Sequence, residues 1–118
     1  MILKEAYELV FQNAQPRSPA EPASAPLPDN ILVIDVRSPG EYASGHVQGA
    51  INLPLSRFEQ EIGRVAPDKG VPVMMYCLSG GRSGGACQLM QQLGYRQVVN
   101  GGSVGAVALK LNRPIERA

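Results

Sequence analysis

The sequence predicts an α/β fold in which a central parallel sheet of about four to five strands carries helices on both faces. Short runs rich in β-branched residues, such as Ile31-Leu32-Val33-Ile34, alternate along the chain with segments of helical periodicity. These runs are continuously apolar, which is typical of strands covered on both faces of a parallel sheet. The connections between them are short, as consecutive strand–helix units require.

The chain divides by composition into three segments. Residues 1–14 place Ile2, Leu3, Ala6, Leu9 and Val10 at helical spacing, which predicts an N-terminal amphipathic helix. Residues 15–30 form a Pro/Ala-rich linker, because closely spaced prolines remove backbone donors and interrupt helix. Residues 31–118 then form the folded domain, whose size is that of one compact unit with one core.

The elements of the domain follow from apolar spacing and from capping and stop signals. After a strand at 31–34, Ser38 is a helix cap, Pro39 suits the first helical position, and Glu41 completes a capping box for a short helix through Ser44. The remaining elements are a strand at 50–53, a helix at 57–65, a strand at 71–76, a helix at 83–93, a strand at 97–99, a turn at Gly101 and Gly102, and a helix at 104–111.

Composition argues against several classes of function. The 11 basic and 10 acidic residues leave a formal net charge of +1 with no basic run, so we expect no nucleic-acid partner. The apolar runs fall short of the roughly 20 residues of a membrane span, so we expect no membrane partner. Lys4 and Glu5 interrupt what would be a secretory signal, which favours a cytoplasmic location. Nothing in the composition requires more than a monomer.

The segment that follows the strand at 71–76 carries the candidate chemistry. It reads Cys77-Leu78-Ser79-Gly80-Gly81-Arg82-Ser83 and leads directly into a helix. Backbone amides and the helix dipole favour negative charge at this position, so they lower the pKa of the thiol from its free value of about 8.5. The two glycines allow successive N–H groups to turn inward as an anion nest, while the arginine and the two serines add further donors. Cys77 is therefore the predicted nucleophile.

Cys87 and His46 have simpler interpretations. A free cysteine is most often a small apolar core residue, and Cys87 fits that role within the helix at 83–93, with a resolving thiol as the alternative. Both thiols are expected to be free, as in a reducing compartment. His46 is the single histidine, so a metal cluster built on histidines is excluded. We expect it to be a packed, hydrogen-bonded residue in a turn, with a general base as the alternative.

Two segments resemble the rhodanese family. The segment from Ile34 to Pro54, IDVRSPGEYASGHVQGAINLP, is similar to the amino-terminal signature of that family, and Tyr76 to Ser83 is similar to its active-site loop. The resemblance runs from about residue 31 to residue 102 and is greatest to small single-domain thiosulfate sulfurtransferases of the phage-shock type. The chain departs from the family after the double glycine, where many members have a tryptophan and this sequence has none.

The resemblance implies a rhodanese-like fold and a mechanism. Cys77 would take sulfane sulfur from thiosulfate or a similar donor as a persulfide, and pass it to cyanide, a thiol acceptor or an acceptor protein, without a metal or organic cofactor. Asp35 and Arg37 would support the loop by bracing or tuning it, with Arg37 and Glu41 expected to form an ion pair. The implied substrate-binding residues are Leu78, Ser79, Gly80, Gly81, Arg82 and Ser83.

Two other functions are compatible with the same loop. A cysteine phosphatase or arsenate reductase would also use a thiolate in an anion nest, although those phosphatases place five residues between Cys and Arg and this loop has four. A rhodanese-like docking or regulatory module is the second alternative. The presence of Cys77 argues against it, since family members without the cysteine serve as binding domains.

Overall fold

A computed structural model describes residues 30–118, whose fold is built around one parallel sheet. The strands are β1 (Leu32–Asp35), β2 (His46–Val47), β3 (Ile51–Asn52), β4 (Val73–Cys77), β5 (Val98–Ser103) and β6 (Ile115–Glu116). The helices are α1 (Pro39–Ser44), α2 (Phe58–Val65), α3 (Gly81–Gln92) and α4 (Val104–Leu111), and a 3-10 turn at Leu55–Arg57 precedes α2.

The four-stranded sheet has the order β3-β1-β4-β5, and all of its neighbouring pairs are parallel. β4 therefore has a partner on each side, and all of its residues are buried. Asp35 of β1 lies beside Tyr76 of β4, so the carboxyl ends of these strands meet at one edge. In sheets of this type that edge is where ligands bind.

Helices cover both faces of the sheet. Met75 and Cys77 of β4 point into a core with Phe58 of α2 and Ala86 of α3, while the alternate residue Tyr76 faces the other core. That second core includes Val107 of α4 and Val47 of β2. The predicted α/β class, with about four strands and helices on both faces, is confirmed. The predicted amphipathic helix at 1–14 and the linker at 15–30, except for Asn30, lie outside the described residues.

The region around the double glycine differs from the prediction. Gly101 and Gly102 lie inside β5 instead of forming a turn after it, and the register slips there because Met75 pairs with Asn100 while Tyr76 pairs with Gly102. A Cβ at Gly101 would overlap the Val107 side chain and would lie 3.0 Å from Cγ of Met74. The strand therefore bulges at a position where a side chain does not fit.

A second, two-stranded sheet was not predicted. β2 pairs antiparallel with β6, with His46 beside Glu116 and Val47 beside Ile115. Strands of two residues carry no periodic apolar signal, so sequence patterns do not reveal them. In the described part of the chain, no helix has the length and apolar character needed to cross a membrane.

Candidate active site

Cys77 is the last residue of the central strand β4, and α3 begins four residues later at Gly81. The turn between them depends on Gly80, whose φ of +101° lies in the left-handed region that favours glycine. Gly81 has no such φ and is already helical, so α3 starts two residues earlier than the sequence predicts. The side chains of Leu78 and Ser79 are exposed, whereas Cys77 is only 1% exposed. The loop thus covers the cysteine from above while its own amides remain close to the sulfur.

The sulfur of Cys77 accepts hydrogen bonds from the loop and from α3. The backbone N–H of Gly80 lies 3.0 Å from Sγ, and the hydroxyl of Ser83 lies 3.6 Å from it. Burial by itself raises the pKa of this thiol, but the hydrogen bonds from Ser83, Ser79 and Gly80 outweigh it and bring the pKa from 9.0 down to about 7. A large share of Cys77 is therefore thiolate at neutral pH, as the loop sequence predicts.

Asn100 is a polar residue of the site that sequence reasoning missed. Its side chain Oδ1 accepts from the Ser83 hydroxyl at 2.7 Å and from the backbone N–H of Gly102 at 3.0 Å. Its Nδ2 donates to the carbonyl of Gly80 at 3.0 Å. Asn100 thus ties strand β5 to both donors of the Cys77 sulfur. The one proton of the Ser83 hydroxyl lies between two acceptors, Asn100 Oδ1 and Cys77 Sγ.

Arg82 pairs with a carboxylate of the protein, whereas its place in the loop predicts a role in binding an anionic ligand. Its guanidinium donates to the Glu41 carboxylate through both terminal nitrogens, at 2.9 and 3.0 Å. Glu41 also accepts from the backbone N–H and hydroxyl of Ser38, at 3.0 and 3.1 Å, as the partner in the predicted capping box of α1. The pair with Arg82, followed by these hydrogen bonds from Ser38, lowers the pKa of Glu41 to about 2. The positive charge of the loop is therefore already paired within the protein.

The predicted ion pair between Arg37 and Glu41 is wrong. Arg37 pairs instead with Asp35, through Nη2 to Oδ2 at 2.7 Å and through Nε to both carboxylate oxygens, and both side chains are buried. Asp35 lies two residues earlier in extended chain, so the two side chains emerge on the same side. Arg37 also donates to the carbonyl of Gly45 at 2.6 Å and lies over the ring of Tyr76. The pair braces the strand that ends at Cys77.

Cys87 and His46 have the packing that their sequence contexts predict. Both cysteines are free, and Cys87 is buried in the core beneath α3, where desolvation raises its pKa to about 12. His46 is buried in β2 instead of lying in a turn, donates a hydrogen bond from Nδ1 to the carbonyl of Tyr42 and stacks on the Tyr42 ring with 3.7 Å between ring centroids. Within residues 30–118, no group of three or more histidine, cysteine or acidic side chains forms a metal-ligand set.

The fold and the site together define a class of protein, an α/β domain that holds an activated thiol in a cradle of backbone amides at the end of its central strand. Comparisons with known proteins identify the family. The family model of the rhodanese-like domain matches residues 20–107 of the sequence, and the chain belongs to that family. The predicted resemblance is therefore confirmed.

The names of similar proteins indicate the general type of reaction. Thiosulfate sulfurtransferase PspE of Escherichia coli is 42% identical over 76 residues, which are 64% of this chain and 73% of that protein. Thiosulfate:glutathione sulfurtransferase of Saccharomyces cerevisiae is 34% identical over 56% of this chain and 55% of its own length. A solved structure described as a rhodanese with anions from E. coli superimposes with a TM-score of 0.68 at 38% identity, over 75% of this chain and 99% of that one. This chain is an enzyme of the sulfurtransferase class.

Proposed function

We propose that the protein moves sulfane sulfur from thiosulfate or a similar donor to cyanide or a thiol acceptor through a persulfide on Cys77. The observation that carries this proposal is the position of the Cys77 sulfur, buried at the end of β4 and 3.0 Å from the Gly80 N–H, with a pKa of about 7. A thiolate that is stabilised at neutral pH and held in a fixed orientation is the form needed for displacement at sulfur.

In the first half of the proposed reaction, the Cys77 thiolate attacks the outer sulfur of thiosulfate. A new S–S bond forms to Sγ, the S–S bond of thiosulfate breaks, and its electron pair leaves with sulfite. The backbone N–H groups of Ser79, Gly80 and Ser83 lie close to the thiol and are donors available to the negatively charged persulfide. Thiosulfate as the donor is supported by the names of the E. coli and yeast relatives.

In the second half, cyanide or a thiolate attacks the outer sulfur of the persulfide. The bond between the two sulfurs breaks and its electron pair returns to Sγ, which restores the Cys77 thiolate. The Gly80 N–H and the Ser83 hydroxyl stabilise Sγ as it becomes the leaving group, since both lie within hydrogen-bonding distance of it. The yeast relative's named acceptor, glutathione, supports a thiol in this role. A cytoplasmic location and a monomeric state stay predictions from the sequence.

The experiment incubates the purified protein with thiosulfate, records its intact mass, and then adds cyanide and measures thiocyanate. We expect the mass to increase by one sulfur atom and to return on addition of cyanide. The matched variants are Cys77→Ser and Cys87→Ser. Cys77→Ser is expected to abolish both signals, whereas Cys87→Ser is expected to keep them because Cys87 is buried with a raised pKa.

Other outcomes would count against the proposal. Uptake of sulfur that survives in Cys77→Ser would place the persulfide elsewhere. A wild-type protein that takes no sulfur from thiosulfate or from an organic persulfide would contradict sulfur transfer and favour a docking role. If that same protein reduced arsenate or hydrolysed an aryl phosphate, an oxyanion substrate would be favoured.

A further inference from the structure

In the described part of the chain, the cationic side chains next to the candidate site, Arg82 and Arg37, are each paired with a carboxylate. Arg82 pairs with Glu41 in a two-point contact, and Arg37 pairs with Asp35. Each pair contributes no net charge, so the loop would attract an anion mainly through its backbone amides. Amide dipoles attract anions less strongly than an unpaired guanidinium does. The cradle is therefore less positive than the sequence of the loop indicates.

The pair between Arg82 and Glu41 is held in place from the Glu41 side. The Ser38 N–H and hydroxyl bind the Glu41 carboxylate at 3.0 and 3.1 Å, which fixes it at the start of α1. Arg82 would have to break both of its hydrogen bonds to Glu41 in order to turn toward a ligand. Its side chain is 39% exposed and belongs to the first turn of α3, close enough for the charge of Cys77 to affect it. Its charge thus acts on the cradle, but Glu41 largely cancels it.

We infer that Glu41 is a specificity-determining residue that limits the preference of the site for a doubly charged sulfur donor. By neutralising Arg82 it lowers the attraction of the cradle for a dianion such as thiosulfate more than for a monoanion, such as an organic persulfide or a thiosulfonate. The reason is that Coulomb energy is proportional to the charge of the ligand. This inference rests on the proposed sulfur transfer and names the residue that makes the site more tolerant of singly charged donors beside thiosulfate.

The test compares thiosulfate with methanethiosulfonate, a monoanionic donor whose sulfinate leaves as sulfite leaves from thiosulfate. In a double-displacement reaction, kcat/KM for the donor reports the first half alone, and cyanide serves as the acceptor for both donors. Glu41→Gln keeps a carbonyl oxygen for the Ser38 and Arg82 donors but removes the charge. A change in the ionisation of Cys77 affects both donors equally, so the ratio of the two kcat/KM values isolates the effect of donor charge.

We expect Glu41→Gln to raise kcat/KM roughly threefold for the monoanion and roughly ninefold for thiosulfate, so that their ratio changes roughly threefold. The change should shrink at high salt, because the Arg82 side chain is partly exposed. Glu61→Gln is the matched control, since it removes the same charge from a partly exposed carboxylate of α2 that pairs with Arg57, the last residue of the 3-10 turn, and with Arg64 of α2. It is expected to leave the ratio unchanged.

An unchanged donor ratio in Glu41→Gln, or a fall in thiosulfate turnover with unchanged methanethiosulfonate turnover, would overturn the inference. The second result would mean that Glu41 only holds Arg82 in place for the dianion. Glu41→Asp keeps the charge and is expected to keep the ratio near that of the wild type, which distinguishes charge from geometry. Failure of the wild-type protein to form a persulfide from either donor would contradict the proposed function itself.

Discussion

The hydroxyl of Ser83 offers the sharpest test of how the site activates its thiol. Ser83 is fully buried and lies 3.6 Å from the Cys77 sulfur. Burial raises the pKa of Cys77, and the Ser83 side chain is the largest of the contributions that oppose this and lower the pKa to about 7. A hydrogen bond to a charged group contributes about 1.5 kcal/mol, which corresponds to about one pH unit. Ser83→Ala is therefore expected to raise the pKa of Cys77 from about 7 to about 8.

This shift has a direct consequence for reactivity. At about pH 7 the thiolate fraction should fall from about one half to about one tenth, and the rate of alkylation by iodoacetamide should fall about fivefold with it. The pH profile of alkylation should move to higher pH, because more base is needed to ionise the thiol. Intact mass spectrometry measures the rate, and the ultraviolet absorbance of the thiolate gives an independent titration. Cys87 does not interfere, since its pKa is raised to about 12.

Ser79→Ala is the matched control. Its hydroxyl is on the exposed side of the loop, and its contribution to the Cys77 pKa comes from the backbone N–H, which alanine retains. We expect the Cys77 pKa to be unchanged in that variant. If Cys77 has the same pKa in Ser83→Ala as in the wild type, then the loop amides alone stabilise the thiolate. The Ser83 hydroxyl would then donate to Asn100 Oδ1, 2.7 Å away, and not to the sulfur.

Three further predictions concern packing. Iodoacetamide should label one thiol in the native protein and both after denaturation in urea, because the pKa of Cys77 is lowered to about 7 while that of Cys87 is raised to about 12; labelling of both at equal rates in the native state would contradict this. Arg37→Met should lower the free energy of unfolding by about 3 kcal/mol in a urea titration, because it leaves the fully buried Asp35 without its partner; a loss below about 1 kcal/mol would mean that water reaches the carboxylate. Gly101→Ala should lower the free energy of unfolding by about 1 to 3 kcal/mol, because the new methyl group would overlap the side chains of Val107 and Met74. Gly105→Ala is the control: it has open space in α4 and should raise the free energy of unfolding by up to about 1 kcal/mol.

The strand, loop and helix around Cys77 were predictable because the signals are local. The apolar run of β4, the glycine at the turn and the helix that follows are adjacent in sequence, and each limits the backbone conformation on its own. The capping box of α1 was predictable for the same reason, since its partners lie three residues apart. Local patterns therefore predicted the fold class and the position of the candidate nucleophile at the end of β4.

The polar contacts that complete the site could not be predicted in this way. Arg82 and Glu41 are 41 residues apart, and Ser83 and Asn100 are 17 apart, so only the packing of the sheet brings them together. An exposed asparagine or glutamate has many possible partners in sequence and carries no periodic signal. The resemblance to the rhodanese family placed Asp35 and Arg37 near the loop, but the ion pair expected between Arg37 and Glu41 was wrong.

The attachment of Cys77 to an inner strand of the sheet also determines how the proposed persulfide would pass on its sulfur. Some enzymes carry a reactive group between distant sites on a long flexible arm. In this protein the sulfur sits on a short side chain, hydrogen-bonded to Gly80 and only 1% exposed, so its reach beyond the loop is negligible. Any acceptor must come to this fixed point. A small thiol meets this requirement more easily than an acceptor protein, which needs its thiol on a segment that protrudes toward the loop.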